Sequence, residues 1–210
     1  MSCFRPERRV LAVLLVMLGQ LLSSAQAQTS DELRIRSFGK LPAFQIGVAG
    51  ATDNLNLFLS PSCNYCQRML LELVDAYKNG DSDFEDVATT VSLMPRKPQD
   101  VKIIAGLLCI DSRQRAASVI RYFRNINEIT GGSAIKDAVA TRAYEATLSQ
   151  FGVSTTEAQA CENSTTNLAI ISDIYRIGDA KRSRDRMPVV MFNDEIINVD
   201  DFRMLTRSMR

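Results

Sequence analysis

Two cysteines one helical turn apart, Cys63 and Cys66 in Ser60-Pro61-Ser62-Cys63-Asn64-Tyr65-Cys66, stand where a strand-like run gives way to a helix-like one. That junction constrains the chain more than any other stretch. Leu55, Leu57 and Leu59 alternate with Asn54, Asn56 and Phe58, the period of a strand with one apolar face, ending at Ser60. Beyond the cysteines, Met69, Leu70, Leu73, Val74 and Tyr77 recur at three- and four-residue steps. Ser62 is placed to cap that helix, with Cys63 in its first turn. A thiol there faces the positive end of the helix dipole and unpaired backbone N–H groups, so its thiolate is favoured. Cys63 is then the exposed attacking thiol, and Cys66, one turn on and more shielded, can resolve a mixed disulfide. A structural disulfide, half of a zinc site and chance are the alternative readings; redox meaning attaches to CxxC mainly in this strand-to-helix setting.

The N-terminus reads as a secretory leader over residues 1–27: Arg5, Arg8 and Arg9 precede an apolar run from Val10 to Leu22, and Ala25-Gln26-Ala27 supplies a cleavage site after Ala27. An uncleaved anchor is the other reading, although the run is short of the roughly 20 residues that span a bilayer. Cys3 would leave with the leader. The chain carries 25 Lys+Arg and 24 Asp+Glu. The leader removes three arginines and one glutamate, leaving a formal charge of −1 and nothing that points to nucleic acid or anionic lipid. Four cysteines remain in a chain long enough to bury a core without staples, and export permits disulfides. Histidine is absent. That excludes a Cys/His dyad, a Ser/His/Asp triad and every histidine-containing metal site.

Along the rest of the chain, Phe44 to Val48 fits a short strand, Asn79-Gly80-Asp81 a turn, and Val87 to Met94 a strand ending at Pro95. From Gln99 to about Gly178 the period is helical. Ser154-Thr155-Thr156-Glu157 forms a capping box that opens one long helix through Leu168, Ile171 and Tyr175. Strand character returns at Pro188 to Phe192, turns at Asn193-Asp194 into Glu195 to Val199, and Asp200 or Asp201 caps a final helix. The charged Lys181 to Arg186 segment reads as a solvated loop. This order is mixed α/β with a helical insertion.

Phe58 to Cys66 resembles the active-site motif of the DsbA-like branch of the thioredoxin superfamily, and Met187-Pro188-Val189-Val190-Met191-Phe192-Asn193 resembles its second signature, a cis-proline opening a hairpin strand. Without the family, Pro188 is simply a strand-opening proline. The resemblance implies a thioredoxin-like α/β fold from residues 28–98 and 179–210, with an inserted helical domain over 99–178. It implies Cys63 and Cys66 as the catalytic pair, and Met187, Pro188, Asn64 and Tyr65 along a substrate groove. It also implies a structural Cys109–Cys161 disulfide between two helices of the insertion, worth roughly 3 to 4 kcal/mol through closure of a loop of about 50 residues. Two buried free thiols are the alternative.

The implied activity is that of a periplasmic thiol-disulfide oxidoreductase acting on reduced or unfolded proteins. A membrane quinone-linked partner, DsbB-like or vitamin-K-epoxide-reductase-like, would reoxidise it, with no metal, organic cofactor or nucleic acid involved. A disulfide reductase or isomerase of similar fold and a redox-silent binding protein or holdase are the competing readings. Three departures matter. Asn64-Tyr65 replaces the Pro-His of strongly oxidising members, Leu57 stands where they carry a buried acid, and Met187 precedes the proline. A milder oxidant follows. The roughly 27 residues expected between Ala27 and the first confident strand are too few for the dimerisation domain of dimeric isomerases, so a monomer is expected.

Overall fold

The computed structural model describes residues 35–37, 42–47, 51–80, 86–131, 133–180 and 187–198. The expected leader, the Lys181 to Arg186 segment and the final helix lie outside these residues, as do Val48, Asp81 and Val199. Strands β1 (Ile35–Ser37), β2 (Ala43–Gly47) and β3 (Asp53–Leu59) precede helix α1 (Asn64–Lys78) and strand β4 (Val87–Leu93). Helices α2 (Pro98–Leu107), α3 (Arg115–Thr130), α4 (Asp137–Gln150), α5 (Thr155–Glu162) and α6 (Thr165–Ala180) follow, then the hairpin strands β5 (Val189–Phe192) and β6 (Glu195–Ile197).

The strands form a mixed sheet in the order β1-β2-β4-β3-β5-β6. Only β3 and β4 run parallel, joined by α1 as a parallel pair requires. Leu55, Leu57 and Leu59 are buried on one face of β3 while Asn54, Asn56 and Phe58 are at least partly open. Cys66, Met69, Leu70, Leu73 and Val74 form the buried stripe of α1 in the same core. The register of β5 against β3 sets Val189 opposite Phe58, which carries Pro188 level with Leu59. Leu93 pairs with Leu59 on the other side. The chain therefore gathers its next turns, those after β3 and β4 and the one before β5, at one end of the sheet.

The hairpin turn Asn193-Asp194 has positive φ at both residues (46° and 68°), the backbone that matches the twist of two antiparallel strands. Asn193 also ties the hairpin to β3, accepting from the Asn54 N–H at 2.9 Å and donating to Asp53 at 2.8 Å.

Two expectations are corrected. Helix α1 begins at Asn64, and its N-cap is Cys63, not Ser62. The Ser62 hydroxyl is drawn away to Asp100, leaving the Cys63 sulfur to accept the Cys66 N–H. The single helix expected after Ser154 is two: α5 ends at its cap Asn163, and the Ser164 hydroxyl accepts the Asn167 N–H to start α6. A serine that can satisfy an orphan N–H competes with continuation of the helix. The Ser154–Glu157 capping box is present at the start of α5, and bonding to Ser154 holds the exposed Glu157 carboxyl below its ordinary range.

Within the helices, α3 packs on α4 around a buried polar pair, Asn125 donating to Thr147 at 2.9 Å, and the rings of Tyr122 and Phe123 meet edge to face at 5.3 Å. Gly131 ends α3 in the left-handed conformation that its missing side chain permits. Cys109, just past α2, is bonded to Cys161 on α5, with Cα atoms 5.8 Å apart. Asn167 of α6 bridges the same helices, donating to the carbonyls of Ala105 and Cys161. Tyr144 crosses α2 so closely that a Cβ on Gly106 would collide with its phenol group.

Gly106→Ala is expected to lower the free energy of unfolding by about 1–3 kcal/mol, because the Tyr144 ring, anchored to Glu162 at 2.8 Å, has to move. Replacing both Cys109 and Cys161 with alanine removes a cross-link spanning 52 residues. A loss of roughly 3 to 4 kcal/mol is expected in denaturant unfolding.

Candidate functional site: the Cys63–Cys66 pair

Cys63 and Cys66 form a disulfide, with Cα atoms 5.2 Å apart. Their burial differs in the expected sense, Cys63 being 4% exposed and Cys66 0%, although Cys63 is itself largely covered. The Cys63 sulfur occupies the acceptor position of a helix cap and takes the Cys66 N–H at 3.1 Å, so it sits in the positive field of the α1 terminus. On its other side, the Met187 carbonyl oxygen lies 3.6 Å away. The Met187–Pro188 peptide bond is cis. Thus Met187 and Pro188, 121 residues or more along the chain from Cys66, are brought to the pair by the β3–β5 register.

Asn64 and Tyr65, between the cysteines, are partly exposed. The Asn64 carboxamide is committed at both ends: its oxygen accepts the Ile135 N–H at 2.8 Å and its nitrogen donates to the Ser133 carbonyl at 3.2 Å. This residue pins the motif to the segment between α3 and α4. Tyr65 lies beneath the Arg68 guanidinium, 5.5 Å from its ring centroid. Cys109 and Cys161 form their own disulfide at α2 and α5. Leu57 is wholly buried in the core.

Sequence reasoning missed two side chains that hold the motif, Tyr122 and Asp100. Tyr122, on α3 and 0% exposed, donates to the Pro61 carbonyl at 3.2 Å. Burial, and secondarily the charge of Asp100, pushes its hydroxyl far above the ordinary phenol range. Ser60 and Ser62 both donate to Asp100 Oδ2, at 2.8 and 3.1 Å. Asp100 lies in the first turn of α2 and is 0% exposed. The only local signal for it is Pro98 followed by an acid, which marks a helix start and says nothing of a partner 40 residues away. Among the described residues, no cluster of three or more metal-ligating side chains occurs, and no helix is long and apolar enough to cross a membrane.

Chemically, this is a disulfide at a helix N-terminus, with one sulfur bordering the surface and one fully covered. A thiolate arriving from outside would meet Cys63 first, with Cys66 as the more shielded leaving group.

This fold is similar to that of several solved structures of low sequence identity. A protein-disulfide isomerase from Novosphingobium aromaticivorans superposes with a TM-score of 0.60 at 14% identity, over 80% of this chain and 97% of that one. A thioredoxin-like oxidoreductase from Silicibacter pomeroyi gives 0.56 at 13% identity, over 80% and 91%. Wolbachia pipientis alpha-DsbA1 gives 0.57 at 12% identity, over 79% and 87%. No protein-family model and no curated protein matches the sequence.

Asn64→Ala is expected to cost about 1 kcal/mol of stability through loss of two hydrogen bonds at a partly exposed site. Hydrogen exchange of the Ile135 amide, measured by NMR, should accelerate while amides in the core of α3 keep their protection.

Proposed function

We propose that this chain is an exported protein thiol-disulfide oxidoreductase that oxidises or exchanges disulfides in substrate proteins through Cys63 and Cys66. One observation carries the reading: the Cys63–Cys66 disulfide sits at the start of α1, with the less buried sulfur turned to the Met187 carbonyl. A substrate thiolate attacks the Cys63 sulfur, the S–S bond breaks, and Cys66 leaves as a thiolate. A second substrate thiolate then attacks the sulfur that the substrate contributed to this mixed disulfide, and Cys63 leaves. The substrate has lost two electrons and two protons and gained a disulfide; the protein has gained both and become a dithiol. No metal or organic cofactor is needed for the exchange.

Met187, Pro188, Asn64 and Tyr65 border the groove in this reading, with Asn64 fixing its shape from beneath. An extended substrate segment would lie along the chain at Met187 and pair with its backbone. Residues 28–98 and 179–210 form the thioredoxin-like part, and 99–178 the helical insertion. Removal of residues 1–27 would release the protein to the periplasm as a monomer, where a quinone-linked membrane protein, DsbB-like or vitamin-K-epoxide-reductase-like, restores the disulfide.

The dipeptide Asn64-Tyr65 favours one second reading. Lacking a histidine beside the thiolate, the pair would hold its reduced form less firmly, and the same exchange would then serve reduction or isomerisation.

The test is oxidative refolding of a reduced, disulfide-containing substrate, alongside the reduction potential measured against glutathione. Cys63→Ser and Cys66→Ser should each lower the refolding rate at least about a hundredfold, to near the uncatalysed level. Full activity in both variants would sink the proposal. A potential close to thioredoxin's would assign the reductive direction.

A further inference from the structure

The side chain of Asp100 is the most constrained charged group near the cysteines, and the exchange mechanism makes no use of it. It reaches the motif from α2, an element that contributes no cysteine to the pair. Four donors converge on its Oδ2: the hydroxyls of Ser60 and Ser62 and the backbone N–H groups of Arg96 and Lys97, the last two at 2.8 and 3.2 Å. Its other oxygen, Oδ1, is buried with no hydrogen-bond partner. A carboxylate whose only task was to start α2 could stand in solvent with both oxygens satisfied. Burying one oxygen unpaired costs stability, and such groups mark places where something other than stability is served.

The position says what that is. Ser62 immediately precedes Cys63, so the carboxylate lies one hydroxyl away from the residue that caps α1. The helix terminus favours negative charge on the Cys63 sulfur; a second negative charge, hydrogen-bonded to the adjoining Ser62, disfavours it. Because Asp100 is buried, salt screens that opposition little.

The surrounding charges leave the effect standing. On α3, Tyr122 faces the turn as a neutral donor. On α1, the Arg68 guanidinium stacks over Tyr65. Before α2, Arg96 is exposed and meets Asp100 through its backbone alone, while the Lys97 ammonium is paired with Asp137. The segment before β5 brings Met187 and Pro188, which are uncharged.

We propose that Asp100 is a positioning residue of the Cys63–Cys66 pair, fixing the Ser60–Ser62 turn through two hydroxyls and opposing the Cys63 thiolate with its charge. The role rests on the thiol-exchange reading and gives it a direction: a thiolate that is less favoured makes a less oxidising disulfide.

The test compares the full-length wild type with Asp100→Asn, which keeps an acceptor for the serines and removes the charge. In the reduced proteins, the ultraviolet absorbance of the thiolate is titrated against pH. Separately, each disulfide is equilibrated with glutathione, two glutathione thiols giving one glutathione disulfide as the Cys63–Cys66 bond becomes two thiols. Asp100→Asn should lower the thiolate midpoint by about half to one pH unit and move the glutathione equilibrium about three- to tenfold toward the dithiol. An unchanged or raised midpoint overturns the role.

Ser62→Ala gives an independent measurement should Asp100→Asn fail to fold. It takes one donor from the carboxylate and leaves the charge, so its midpoint should rise; an unchanged or lowered one overturns the role. A wild-type disulfide that does not exchange with glutathione at all would instead defeat the proposed function, and the absorbance titration would still decide the part played by Asp100.

Discussion

The parallel pairing of β3 with β4 is the constraint on which the rest depends. A parallel neighbour forces the chain to return to the end of the sheet where the first strand began, and α1 makes that return while covering the leucines of β3. Both strands then end side by side, Leu59 beside Leu93, and whatever follows each of them meets at one place. The cysteine motif follows one strand and the Pro95 to Asp100 turn follows the other. Antiparallel β5 begins at the same end of the sheet, with Met187 and Pro188 just before it. The pair therefore owes its neighbours to sheet topology, with no loop required to reach across the molecule.

Much of this was legible because it is periodic or local. The alternation of Leu55, Leu57 and Leu59, the spacing of Met69 to Val74, and the Asn193-Asp194 turn each encode their geometry within a few residues. What escaped was decided at a distance. Ser62 has the residue type of a cap, yet its hydroxyl bonds Asp100, 38 positions away, so Cys63 became the cap. Past the end of α5, Ser164 offers a cap in a stretch whose apolar spacing continues, and periodicity alone cannot weigh one hydroxyl against an unbroken helix. Likewise Tyr122 and Asn64 could be assigned to a helix or a motif from sequence, but their partners, Pro61 and the 133–135 segment, belong to other elements.

Those distant partners explain how the helical segment and the sheet act on one small turn. Tyr122 holds it from α3, Asn64 holds the next residues from the approach to α4, and Asp100 holds it from α2. Each contact uses a hydrogen bond whose other end is backbone or a serine hydroxyl, so the turn is fixed by directed bonds rather than by bulk laid over it. Cys63 can thus lie close to the surface on a backbone that has little freedom to move.

The two disulfides close rings of very different size, across 3 and 52 residues. A ring that joins one helical turn excludes few conformations of an unfolded chain, whereas the larger one excludes many. Opening the small ring therefore takes little from the fold, and the large ring keeps its restraint throughout. In the proposed exchange, the bond broken and remade with every cycle is the one on which the native state leans least.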